Sequence, residues 1–176
     1  AERGFKDLTV PEAFGGRDAS PLTLTMAAEE LARGDMGLAV IMDQTWKIAR
    51  IVDKMAGEAV REEFFEALVS DPRHVLAITL TEPDTGSDYV IPHEGFQFDT
   101  TAERDGDGWV IDGEKRYISN GADAKTYVVF AQTDPDAPAP TGATAFLVPH
   151  DADGFSVTHV WEKLSQRTIN NATVAF

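Results

Sequence analysis

Thr81-Glu82-Pro83-Asp84-Thr85-Gly86-Ser87-Asp88 gathers hydroxyls, carboxylates and one glycine into a single short stretch. It follows a β-rich apolar run, His74 to Leu80. Proline has no N–H to give a sheet ladder, so the strand must end by Pro83. Gly86 lets the backbone turn tightly and approach a ligand. Thr81, Thr85 and Ser87 carry hydroxyls, and Gly86 to Asp88 offer backbone N–H groups. A strand that opens into such a turn can present donors to a cofactor edge or a phosphate. The same residues also make ordinary turns, in which the hydroxyls only close local bonds.

A second stretch, Asp112-Gly113-Glu114-Lys115-Arg116-Tyr117-Ile118-Ser119-Asn120-Gly121, follows some tens of residues later. Together the two resemble the acyl-CoA dehydrogenase family, which carries T-E-P-x-x-G-S-D and then G-x-K-x-[WY]-I-[TS]-N-G. Both are present here in that order. Pro11 to Gly16 matches a P-x-x-x-G-G segment seen near the family's N-terminal helices. Lys163-Leu164-Ser165-Gln166-Arg167 resembles K-[LM]-G-x-R, with Ser165 in place of glycine. The resemblance covers nearly all of this chain but only part of a family member.

The resemblance implies an FAD-dependent α,β-dehydrogenation of an acyl-CoA thioester. A base takes the α proton and the β hydrogen leaves as hydride to the flavin, which does the redox work. It implies that Ile78, Leu80 and Thr81 line the polar edge of the flavin ring. Ser87 would sit near the FAD pyrophosphate and the coenzyme A part of the substrate. Tyr117 stands where the family often has tryptophan against the ring, and an aromatic face there can stack. Ile118 accompanies it, and Ser119 keeps the hydroxyl of the more frequent threonine. Lys115, Gly113 and Gly121 read as residues that shape turns. The family's base is a glutamate of a C-terminal helical bundle, which also makes the tetramer and finishes the FAD site. No glutamate of this chain is assigned that role, and the isolated chain is expected to be inactive. Implied partners are an acyl-CoA, an electron-transfer flavoprotein or similar acceptor, and further copies of the protein. The expected location is cytoplasmic, or the mitochondrial matrix in a eukaryote. Two other readings stay open: a flavin oxidase or monooxygenase of the same fold, and a non-catalytic module that binds an acyl-CoA or a partner. The stretch from Tyr89 to Phe98 is longer than in compact family members and adds Pro92, His93 and Phe96 beside the expected coenzyme A site.

The elements that must position these residues are of two kinds. Ser20-Pro21 is a helix start, serine as N-cap and proline at the first position. Leu24, Ala27, Ala28 and Leu31 follow at helical spacing until Gly34. Asp35 caps a second helix that runs to Gly57, with a break expected at Thr45-Trp46. Glu58 to Ser70 is a third, with Val60, Phe64, Ala67 and Leu68 on one face, ended by Asp71-Pro72. From His74 the period changes to short β-rich runs: 75–80, 96–103, 109–112, 127–131, 143–148, 155–160 and 173–176. Turn clusters such as Asp105-Gly106-Asp107-Gly108 and Asp134 to Gly142 separate them. The pattern predicts an α+β chain: a helical domain over 1–72, then an antiparallel β-barrel-like domain over 73–176.

Composition sets outer limits. At 176 residues with 43% apolar and 26% charged residues, the chain can bury a real core. A net charge of −15 argues against nucleic acid and anionic membrane as partners. No apolar run is long enough for a bilayer, and no basic segment leads into an apolar one at the first residues. The absence of cysteine excludes disulfides, thiolate metal sites and a cysteine nucleophile. Four scattered histidines suggest no metal site. The Asp105–Asp112 turn lacks the terminal glutamate of a calcium loop and reads as a solvated hairpin.

Overall fold

A computed structural model of the chain describes residues 4–89 and 95–176. Among these residues three α-helices come first, after a 3-10 turn at Glu12–Phe14. Ser20 caps α1 (Pro21–Gly34), its Oγ accepting from the Thr23 N–H at 3.2 Å. Asp35 caps α2 (Met36–Met55), Oδ1 accepting from the Leu38 N–H at 3.0 Å. The expected break at Thr45-Trp46 is absent, and α2 runs through it. Both residues find inward partners that a helix tolerates. The Thr45 hydroxyl bonds back to Ile41 O at 3.2 Å, and the buried Trp46 indole donates to Phe5 O at 2.7 Å. The third helix, α3 (Glu58–Ser70), buries Phe64, Phe65 and Leu68. Phe14 stacks on Phe65 and Phe64 meets it edge-on.

Eight strands follow among the described residues: β1 (Leu76–Thr79), β2 (Thr101–Asp105), β3 (Gly108–Asp112), β4 (Glu114–Ser119), β5 (Thr126–Gln132), β6 (Ala143–Pro149), β7 (Ser156–Val160) and β8 (Asn171–Ala175). A short helical turn, α4 (Ala139–Gly142), closes the turn cluster that begins at Asp134. The strand expected from Phe96 begins only at Thr101. Phe96 and Phe98 instead pack with Ala139 as a small core of their own. β2 and β3 form the expected hairpin, turning at Gly106 with φ +59°.

The helical-then-β order is observed, but the β part is two sheets rather than a closed barrel. In the larger, β6 pairs antiparallel along the whole of β5, while β1 and β2 share the other edge of β5. The smaller has the order β4-β8-β7, antiparallel throughout. Both β1 and β2 run parallel to β5, an exception to the antiparallel expectation. Parallel neighbours need a long crossover, and β2 to β4 supply the one between β1 and β5.

Side-chain alternation divides the core into layers. Leu76 and Ile78 of β1 and Val128 of β5 meet Val10, Ile48, Phe65 and Leu68 from the helical side. Ala77, Tyr127 and Val129, one residue out of phase, meet Ile118, Ala172 and Val174 of the smaller sheet. β1 is therefore held between the helices and the second sheet, and its C-terminal end delivers Leu80 and Thr81.

Candidate functional site

The two stretches singled out by chemistry lie side by side, running in opposite directions. At one end the Asn120 Nδ2 donates to Leu76 O at 3.0 Å and to Ile41 O of α2 at 3.4 Å. At the other, the Arg116 N–H donates to Thr81 O at 2.8 Å. One residue further on each side, Lys115 Nζ meets Glu82 Oε1 at 2.8 Å, with both side chains fully buried. Two further N–H groups cap the Glu82 carboxylate, Thr100 on Oε1 at 2.9 Å and Asp99 on Oε2 at 2.8 Å. Burial pulls the Glu82 carboxyl up, but Lys115 and the Thr100 hydrogen bonds outweigh it and hold it below its ordinary value. Burial pushes the Lys115 ammonium down, against the support of Glu82. Lys115 is therefore not the turn-shaping residue expected from its neighbours, but half of an internal ion pair.

Beyond β1 the chain makes a tight turn. Glu82 N–H donates to Thr85 O at 3.0 Å and Thr85 N–H returns to Glu82 O at 3.3 Å. The Gly86 N–H, expected to be free for a ligand, is taken by Asp88 Oδ2 at 3.1 Å. The hydroxyls behave otherwise. Among the described residues neither the Thr81 nor the Ser87 hydroxyl has a hydrogen-bond partner, so they are not closing local turns. Thr81 is half-buried and Ser87 exposed at the start of a 3-10 turn.

On the facing strand the register of β4 against β8 slips between Lys115 and Ile118. A bulge inserts a residue, bends its strand and re-aims a side chain. Here Tyr117 sits at φ +60°, and the residue is 52% exposed. One side of the ring is backed by Trp161, centroids 4.8 Å apart. Trp161 in turn donates to Thr173 Oγ1 at 3.0 Å and stands edge-on to His159. Asn171 Nδ2 donates to Tyr117 O at 2.9 Å and to Ser119 Oγ at 3.2 Å. Lys163 Nζ fixes the Asn171 amide by donating to Oδ1 at 2.6 Å. Because Ser119 Oγ accepts from Asn171, its own hydrogen remains for another acceptor.

The expected site residues thus divide. Thr81, Tyr117, Ser119 and Ser87 offer hydroxyls or a ring. Ile118 is 3% exposed inside the second core, its carbonyl accepts from the Gly121 N–H at 2.9 Å, and it pairs with Ala172 of β8. Ile78 and Leu80 turn their side chains into the first and third cores, and Ile78 pairs with Val128 of β5. No hydrogen bond among the described residues links Ser87 to the second stretch. Asn120, Asn171, Trp161 and the Glu82–Lys115 pair were not foreseen as parts of the site. Only Asn-Gly after a strand hinted at the left-handed Asn120, which has φ +62°. Of the long stretch beside Ser87, Pro92 and His93 lie outside the described residues. Two clefts lie elsewhere, about 950 Å³ between α2, α3 and the β5–β6 face and about 650 Å³ beside Arg73, Lys125 and His150. Among the described residues no helix is long and apolar enough to cross a membrane.

An outward ring over a bulge, an oriented serine and an unpartnered threonine beside them are a donor-and-stacking set that fits one edge and one face of a flat heteroaromatic cofactor such as a flavin. Residues 77–176 match the acyl-CoA dehydrogenase middle domain, and residues 1–71 the acyl-CoA dehydrogenase N-terminal domain. The mitochondrial isovaleryl-CoA dehydrogenase of Pongo abelii is 32% identical over 176 residues. The alignment covers 98% of this chain and 40% of the relative, so the chain spans about two fifths of that protein's length. A glutaryl-CoA dehydrogenase from Mycobacterium smegmatis, in complex with FADH2, superposes with a TM-score of 0.83 at 27% identity, over 99% of this chain and 42% of its own. The prolyl acyl carrier protein oxidase AnaB superposes at 0.87 and 27% identity, over 99% of this chain and 45% of its own.

Proposed function

Since the chain belongs to the acyl-CoA dehydrogenase family, we propose that it supplies the flavin-facing wall of an FAD-dependent enzyme that dehydrogenates acyl-CoA thioesters between the α and β carbons. Residues 1–72 form its helical domain and 73–176 its middle β domain in this reading. The observation that carries it is the joining of the two stretches. The Thr81–Arg116 and Leu76–Asn120 bonds bring an unpartnered threonine hydroxyl alongside an outward tyrosine ring and an oriented serine.

Tyr117 offers a face for stacking, and Trp161 behind it keeps the ring from rotating away. Ser119 and Thr81 supply hydroxyl donors, with the main chain of Ile78, Leu80 and Ile118 beside them. Donors held in place before reaction stabilise developing negative charge without reorganising. Ser87, exposed past the turn, is the group for the pyrophosphate and coenzyme A side. FAD, when bound, would supply the two-electron acceptor. No carboxylate of this chain is assigned as the base. The electron acceptor is an electron-transfer flavoprotein or a similar carrier, and the assembled protein is a homo-oligomer. An oxidase is the second reading, favoured by the superposition on AnaB.

The test uses the full-length protein, purified and scanned for flavin absorption, then mixed anaerobically with short branched and straight acyl-CoAs. Bleaching by an acyl-CoA, with turnover only when an artificial electron acceptor is added, is the expected outcome. A colourless protein, or rapid oxygen consumption without any acceptor, would overturn the dehydrogenase reading.

A further inference from the structure

The Glu82–Lys115 pair touches no candidate ligand position, yet it sits where the two halves of the wall meet. Two remote segments converge on one carboxylate. Lys115 comes from β4, and the Thr100 and Asp99 amides come from the lead into β2. Lys115 Nζ also stands 4.2 Å from the centroid of the Phe98 ring. The β3–β4 corner presses on the same spot. A Cβ on Gly113 would lie 2.6–2.8 Å from Thr100 atoms. Immediately outside the pair come the Thr81–Arg116 bond and then the bulge that turns out Tyr117. Buried ion pairs are poor contributors to net stability, because desolvation cancels much of their attraction, but they do demand one geometry.

We propose that Glu82 and Lys115 are positioning residues for the cofactor wall. They set the spacing between the Thr81 arm and the Tyr117–Ser119 arm, rather than holding the fold together. This rests on the flavin reading above. The pair is the shortest side-chain link between the arms, and removing it frees β4 to slide on β1 at the bulge, where the ladder to β8 is already interrupted. Supporting residues of this kind fix a site within fractions of an ångström while lying outside it.

The experiment uses the full-length protein carrying E82Q/K115M. The glutamine carbonyl accepts from one of the Asp99 and Thr100 amides, which bond to different oxygens of the carboxylate, and no charge is left unpaired. Three quantities are compared with the parent: melting temperature, FAD Kd of the apoprotein, and hydrogen exchange at the Arg116 amide. The expected result is a melting temperature within a few degrees, FAD binding weaker by roughly tenfold or more, and Arg116 exchange faster by a similar factor. FAD affinity and exchange both equal to the parent's would overturn the proposal. If E82Q/K115M does not fold, the same readings are taken on Glu82→Asp, which keeps the charge but shortens the arm by one methylene. Weaker FAD binding with faster Arg116 exchange supports the proposal. Unchanged values, or failure of this variant also to fold, assigns the pair to folding alone and overturns it. A parent protein that binds no flavin refutes the earlier reading instead, whereas Arg116 exchange reports on the clamp without flavin.

Discussion

Asn120 joins three elements with one side chain, and its replacement separates two energies that usually arrive together. Its amide donates to Leu76 O and Ile41 O, the residue is 2% exposed, and its backbone is left-handed at φ +62°. Asn120→Gly removes the amide but accepts the backbone. Leaving the buried Leu76 carbonyl without this donor should cost about 1–3 kcal/mol. Asn120→Ala removes the same bonds and adds a Cβ in the left-handed region, for roughly 1–2 kcal/mol more. The alanine protein should therefore lose about 2–5 kcal/mol, with the glycine protein between it and the parent. Urea titration followed by tryptophan fluorescence measures both, with the m-value as a check that the unfolded state has not changed. Equal losses for glycine and alanine would refute the conformational part of the reasoning. Losses below about 0.5 kcal/mol in both, the level of an ordinary surface change, would refute the role of the amide.

Two further outcomes follow from burial. His74, 7% exposed, bonds to Ala67 O and to Thr126 Oγ1, and burial pushes its imidazole below the ordinary 6.5. The unfolded chain then takes up a proton before the folded one does. Stability from the neutral ring is complete above pH 6.5 and falls as the pH drops from there through the lowered value. Melting temperatures from pH 8 to 5 should show this decline, and Asn or Gln at position 74 should flatten it. Gly113→Ala places a methyl against Thr100 at a φ of +152°, and should cost about 1–3 kcal/mol from overpacking alone. Gly57→Ala, with nothing within 4 Å, is the control and should stay near neutral in the same titration.

The helices were legible because their signals are local. Ser20-Pro21 and Asp35 sit beside the turns they cap, and the expected limits of α1 and α3 agree with the observed ones. Thr45-Trp46 misled because a polar residue beside an aromatic suggests a break, while the groups that accommodate it, Ile41 O, Leu76 N and Phe5 O, come partly from remote sequence. β4 was not among the expected strands, since Lys115-Arg116 reads as exposed until Glu82 appears beside it. Alternation alone cannot tell a parallel neighbour from an antiparallel one, so the direction of β1 against β5 was invisible. The first half of the site was readable as chemistry, because hydroxyls and a ring announce themselves by type. Asn171 and Trp161 were not, because their roles depend on which strand β4 meets.

Nearly every bond that builds the wall joins residues far apart along the chain. Glu82 and Lys115 are separated by 33 positions, Leu76 and Asn120 by 44, Tyr117 and Asn171 by 54, and Ile41 and Asn120 by 79. Each such contact requires a loop to be closed before any energy is returned. Helices α1 to α3 bear no such requirement, and their turns can form on the sub-microsecond scale typical of helix–coil exchange. These separations predict that the wall forms late in folding, after a helical layer exists for β1 to settle on. Until β8 arrives, Tyr117 and Ser119 have neither the Asn171 amide nor a bulge to orient them. The last partner along the chain therefore sets when the site comes into being.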